Sequence, residues 1–192
     1  MRSPRTAPLR RPAFHAVLLA TGLAAAALDA MPAAAATFSD PSVFVQAGQG
    51  DEAVRSATVG AMFEVRPDRV AADSPWSFVV EAAVGEWFVH EPRDGARLRF
   101  YQFGLTPSVR YRIGGVFVEA GIGAALITPH FQDGDRRFST GFNFGDHLGI
   151  GTRFGANDAN ELMLRVEHFS NGGIRNPNPG QNFVELRYGR RF

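Results

Sequence analysis

His168 and Ser170 stand two residues apart in Leu162-Met163-Leu164-Arg165-Val166-Glu167-His168-Phe169-Ser170, a segment that alternates with the two-residue period of a β-strand. Residues i and i+2 of a strand project from one face, so the imidazole and the hydroxyl can approach hydrogen-bonding distance. A serine nucleophile needs that pair, because its hydroxyl is not ionised near neutral pH and a neighbouring base must take the proton. Asn171-Gly172-Gly173 follows at once, and glycines beside a serine allow backbone N–H groups to converge on a developing oxyanion. His-x-Ser is also a short and common pattern, and two polar residues in this place would equally mark a strand leaving an apolar environment for a turn. The other histidines after residue 36 offer no metal-ligand spacing: His90, His130 and His147 fall on separate segments.

The elements that must position the pair are legible in the alternation. No stretch after residue 36 shows a sustained helical period, whereas period two recurs from end to end. In residues 101–113, Tyr101, Phe103, Leu105, Val109, Tyr111 and Ile113 take one face, and Gln102, Gly104, Thr106, Ser108, Arg110 and Arg112 take the other. Gly114-Gly115 between this run and the next predicts a tight hairpin. Further runs at about 42–50, 54–66, 76–88, 116–126, 139–153, 161–170 and 182–192 bring the count to eight strands, and the chain reads as all-β.

Eight antiparallel strands can close as a soluble barrel with an apolar interior, or as a membrane barrel with an apolar exterior and a polar, packed interior. Here the polar face holds Arg110, Arg112, Glu119, Arg165, Glu167, Glu185, Arg187 and Arg191, charges of both signs that can pair inside a small barrel. Trp76, Tyr101, Tyr111 and Tyr188 sit on the apolar face towards strand ends, where aromatic girdles are expected. The final strand ends with Phe192 on the apolar face, as in bacterial outer-membrane proteins. The expectation is therefore an eight-stranded antiparallel transmembrane β-barrel. With both termini periplasmic, Gly114-Gly115 and residues 154–160 become inner turns, and residues 89–97, 128–138 and 171–181 become outer loops. His168 and Ser170 then land on the lipid-facing wall near the outer rim. The ten-residue inner connection at 66–75 and the short first outer loop depart from the usual pattern.

Before the first strand, Arg2, Arg5, Arg10 and Arg11 precede an apolar run from Ala13 to Leu28 and then Ala33-Ala34-Ala35-Ala36. This is the layout of a secretory signal peptide, residues 1–36, with cleavage after Ala36. The apolar core is short of the roughly 20 residues a spanning helix needs. Its removal takes away those four arginines and Asp29 and moves the formal charge from +1 to −2. The mature chain is thus not basic, which argues against a nucleic-acid surface. With no cysteine, an exported chain has no disulfides and must be held together in another way. Residues 37–192 make one domain.

The segment His168-Phe169-Ser170-Asn171-Gly172-Gly173-Ile174, continuing through Asn176-Pro177-Asn178-Pro179-Gly180 to the last strand, resembles the C-terminal signature of the PagL family of lipid A 3-O-deacylases. The resemblance implies an esterase of the bacterial outer membrane that removes the acyl chain at the 3 position of lipid A. It makes Ser170 the nucleophile, His168 the general base, and Asn171 with the N–H groups of Gly172 and its neighbour the oxyanion donors. It implies lipid A and outer-membrane lipid as partners, no nucleic acid and no cofactor, and leaves room for a homodimer.

The family places a glutamate fourteen residues after the histidine, and Asn182 stands there in this chain. An amide can orient an imidazole but carries no charge to balance an imidazolium. Glu185 has inward parity. Asp146 has outward parity with Phe142, Phe144, Leu148 and Ile150, and folding strands six and seven about the turn near Asn157 pairs it with His168. The third catalytic member stays open between Asn182 and Asp146. Arg97, Arg99, Arg136, Arg137 and Arg175 lie near the outer end, where Arg136, Arg137 and Arg175 are candidates to grip lipid A phosphates and are equally readable as solvated loop charges. A barrel without catalytic activity, structural or ligand-binding, is the competing class of function. It leaves the clustering of His168, Ser170 and Asn171 unexplained.

Overall fold

The computed structural model describes residues 36–38, 41–67, 71, 73–89 and 98–192. It contains eight long strands: β1 (Ser42–Gly50), β2 (Val54–Pro67), β3 (Trp76–Val89), β4 (Leu98–Ile113), β5 (Val116–Thr128), β6 (Phe142–Phe154), β7 (Asn160–Ser170) and β8 (Gln181–Arg191). Each pairs antiparallel with the next, and β8 pairs back onto β1, so the sheet closes into an up-and-down barrel. The expected eight strands are all present, with bounds within three residues of the alternating runs. The Gly114-Gly115 hairpin is also as expected, with Ile113 opposite Val116 and Gly114 at φ +60, a left-handed conformation natural to glycine.

One end of the barrel carries Gly114-Gly115 and residues 155–159, and the other carries Asp51–Ala53, residues 129–141 and residues 171–180. We refer to these as the turn end and the loop end. The long connection expected at 66–75 is shortened because β2 runs on to Pro67, where it pairs with a short strand, Ala36–Phe38. Beyond Ala36 itself, the expected signal peptide lies outside the described residues, as does most of the expected outer loop 89–97, with Arg97. The loop after β5 folds into a small hairpin, Gln132–Asp133 against Arg136–Arg137, and carries Phe131 and Phe138 over the loop end of the interior.

Alternation sorts the side chains as a membrane barrel requires. Val45, Val59, Val84, Leu105, Leu148, Leu164, Val166 and Leu186 point outward and form an apolar belt too large to leave in water. The interior divides in two along the barrel axis. Towards the turn end, buried arginines meet buried carboxylates: Arg110 lies 2.6 Å from both Glu119 and Glu161, Arg165 contacts Glu81, Glu167 and Glu185, and Arg187 contacts Glu81. Gln46 and Ser56 add hydrogen bonds to Glu185. A buried charge is tolerated only when paired in this way. Towards the loop end the interior turns apolar, with Trp87 in edge or tilted contact with Phe131, Phe138, Phe169 and Phe183. The Trp87 indole N–H is satisfied by Gln102 Oε1 at 2.8 Å.

Candidate active site

β7 carries both interior layers and the candidate pair on opposite faces of one strand. Arg165, Glu167 and Phe169 are buried inside, while His168 and Ser170 are half-buried on the outer side. The ladder register puts His168 directly opposite Asp146 of β6 on one flank and Asn182 of β8 on the other, with Ser170 opposite Phe144. The pairing of Asp146 with His168 is the one the turn near Asn157 predicts. Asp146, Phe144, His168, Ser170 and Asn182 therefore share one patch of the outer wall at the loop end.

Asn182 makes the direct contact to the imidazole, with its Oδ1 2.7 Å from His168 Nδ1. Its Nδ2 donates to Asp51 Oδ2 at 2.7 Å, and its backbone N–H reaches the same oxygen at 3.3 Å. Asp51 opens the turn between β1 and β2, and nothing local in the sequence ties it to His168. Asp146 is half-buried, and its Oδ1 has no hydrogen-bond partner among the described residues. Glu185 points inward and is held by Ser56, Gln46 and Arg165, as its parity predicts.

Past Ser170 the chain turns sharply through Gly172 (φ +64) and Gly173 (φ +83), left-handed conformations that suit glycine. The Gly172 N–H points at Ser170 Oγ across 3.4 Å. Asn171 is fully buried, and its carboxamide is occupied in the loop: Nδ2 donates to the Arg175 carbonyl (2.7 Å) and to Ser139 Oγ (3.1 Å), while Oδ1 accepts the Gly173 N–H (3.0 Å). Its backbone N–H donates to Asn178 Oδ1. Asn171 thus holds the loop that presents Gly172.

Gly180 closes the other side. It sits at φ +72, and a Cβ there would come within 2.7 Å of His168 Cε1, so the imidazole packs on bare backbone. The glycine is visible in the sequence, but its contact with the histidine is not. Of the candidate arginines, Arg136 is half-buried and bonded to the Gly180 carbonyl and Gln181 Oε1, with Glu52 at 3.5 Å. Arg137 and Arg175 are exposed, and the segments that carry them touch through Ser139, whose hydroxyl donates to the Arg175 carbonyl. Arg99 is paired with Glu86 on the surface.

A closed eight-stranded barrel, apolar outside, ion-paired inside and bearing a histidine and a serine on its outer wall, defines a membrane β-barrel whose candidate site opens sideways. Comparison with known proteins narrows the class. The family model described as Lipid A 3-O-deacylase (PagL) matches residues 57–191, and the chain belongs to that family. It is 40% identical over 102 residues to Lipid A deacylase PagL of Bordetella bronchiseptica, covering 52% of this chain and 56% of the relative. It is 35% identical over 72 residues to Lipid A deacylase PagL of Pseudomonas aeruginosa, covering 38% and 40%. The chain thus spans about half the length of the curated relatives it matches. Among solved structures, that of the outer membrane enzyme PagL aligns with a TM-score of 0.59 at 23% identity, over 79% of this chain and 99% of that one. Neisserial surface protein A aligns with a TM-score of 0.52 at 9% identity, over 81% and 99%. Both likenesses show the barrel fold.

Proposed function

We propose that this protein is an outer-membrane esterase that hydrolyses the 3-O-linked acyl chain of lipid A, with Ser170 as nucleophile and His168 as general base. The observation that carries the proposal is the outward-facing pair itself, with His168 Nδ1 anchored at 2.7 Å to Asn182 and the Gly172 N–H directed at Ser170 Oγ. A carbonyl only accepts, so Nδ1 carries the proton and Nε2 is the lone-pair nitrogen that takes the serine proton. Ser170 Oγ attacks the ester carbon as His168 takes its proton, and the Gly172 N–H stabilises the oxyanion. Collapse expels the sugar hydroxyl, which receives that proton and leaves an acyl-serine. Water then attacks the acyl group by the same route and releases the fatty acid.

The outward position suits an ester that never leaves the membrane, and with short turns periplasmic the loop end faces the outer leaflet. Arg137 and Arg175 would meet lipid A phosphates with their exposed guanidiniums, while Arg136 holds the Gly180 peptide against His168. The test is lipid A from cells expressing the wild type and Ser170→Ala. The wild type is expected to release the 3-hydroxy fatty acid and the variant none above background; release that survives the substitution overturns the assignment.

A further inference from the structure

Asn182 stands where an acid would complete the site, yet it is not isolated from one. Asp51 Oδ2 accepts both the side-chain and backbone N–H of Asn182, and Asn182 Oδ1 faces His168 Nδ1. We propose that Asp51, from the β1–β2 turn, is the acid of this site, a positioning residue that acts on His168 through Asn182. The assignment rests on His168 and Ser170 working as proposed above.

The chemistry of the three groups dictates the direction of every bond. A carboxylate only accepts, so Asp51 must hold the NH2 end of Asn182. That leaves the carbonyl end to the imidazole. A carbonyl also only accepts, so His168 Nδ1 must carry the proton, and Nε2 keeps the lone pair that a base needs. Without Asp51 the carboxamide is free to turn over and offer its NH2 to Nδ1, which selects the opposite tautomer, one unable to take the serine proton. The carboxylate also polarises the Asn182 amide and so favours the imidazolium formed during the reaction.

The turn is built to hold this carboxylate in place. Glu52 (φ 53) and Ala53 (φ 62) are both left-handed, and the Asp51 carbonyl accepts the Gln181 side chain at 3.3 Å. Glu52 lies beside Arg136, which in turn binds the Gly180 carbonyl next to His168. The charged groups on the two flanks of His168 are thus Asp146 from β6 and, through Asn182, Asp51. On the Asn182 side a continuous hydrogen-bonded chain runs from a carboxylate to Nδ1.

The test uses the full-length barrel folded in detergent micelles, with its folded state checked by heat-modifiable gel mobility. Asp51→Ala, Asp51→Asn and the swap Asp51→Asn with Asn182→Asp are compared with wild type in two measurements. The first is 15N-histidine NMR, with the His168 signal assigned from its loss in His168→Gln. Wild type is expected to show the Nδ1–H tautomer, Asp51→Ala a mixture of tautomers, and the swap a return to Nδ1–H. The second is 3-hydroxy acyl release from lipid A, where Asp51→Ala should lower kcat about tenfold with KM little changed, and the swap should recover most of the loss. A His168 tautomer indifferent to Asp51 overturns the proposal, as does a swap no better than Asp51→Asn alone. Because the NMR measurement needs no turnover, a wild type that releases no acyl chain counts against the esterase and leaves the His168–Asn182–Asp51 chain to be judged by its spectra.

Discussion

The two halves of the barrel interior solve the same problem with opposite chemistry. Towards the turn end, Arg110, Arg165 and Arg187 are stitched to five glutamates, Glu81, Glu119, Glu161, Glu167 and Glu185. Towards the loop end, Trp87 and its ring of phenylalanines make an apolar layer, with Arg136 over the Phe131 ring and Asp133 buried in the hairpin at its edge. The polar groups of the outer wall, His168, Ser170 and Asn182, sit over the apolar half and not over the ionic one. The difference separates two electrostatic systems that share a strand. Glu167 is bonded to His168 in sequence, yet its carboxyl is held by Arg165 on the opposite face of the sheet. An acid serving His168 as proposed would therefore come from the outer wall or the loops, where Asp51 and Asp146 lie.

Substitutions in the ionic half should cost stability, and those in the apolar half both stability and activity. Arg165→Met strips the shared cation from Glu81, Glu167 and Glu185 and should have the largest effect on stability, about 3–5 kcal/mol, read as a lower urea midpoint for the folded band. The per-molecule activity of the barrels that do fold should stay near wild type. An unchanged midpoint would mean that the ionic layer is not held by pairing. Phe169→Ala opens a cavity directly behind the His168–Ser170 wall and should lower stability by about 3 kcal/mol. Unlike the arginine change, it should also lower acyl release from the folded fraction. Equal activity in the two variants would erase the functional distinction between the halves. Gly180→Ala is the smallest in stability, about 1 kcal/mol, because alanine resists φ +72. It should still lower activity about tenfold, since its Cβ occupies the space of the His168 ring. Activity at the wild-type level would show that the imidazole does not need that bare backbone.

How far the sequence was legible follows the range of each interaction. Period-two alternation and the glycine turns are local, and they place all eight strands, the inward charges and the Asp146–His168 pairing across one short connection. The aromatic plug was less visible, because Phe131 and Phe138 come from a loop whose own small hairpin folds them inward. Asp51 was out of reach for a further reason. It meets Asn182 only because β8 closes onto β1, a pairing of residues 131 apart whose register is set by the shear of the whole barrel. Asn171 was legible as part of the loop motif, but its inward, fully bonded carboxamide depends on Ser139 of a different loop.

The sideways opening of the site also governs how encounters are counted. If His168 and Ser170 act as proposed, the barrel meets its ester by diffusion in two dimensions, in the plane of the membrane, and not from bulk water. Its turnover should then track the mole fraction of lipid A in the surrounding film, and adding inert detergent at fixed total substrate should slow it by surface dilution alone.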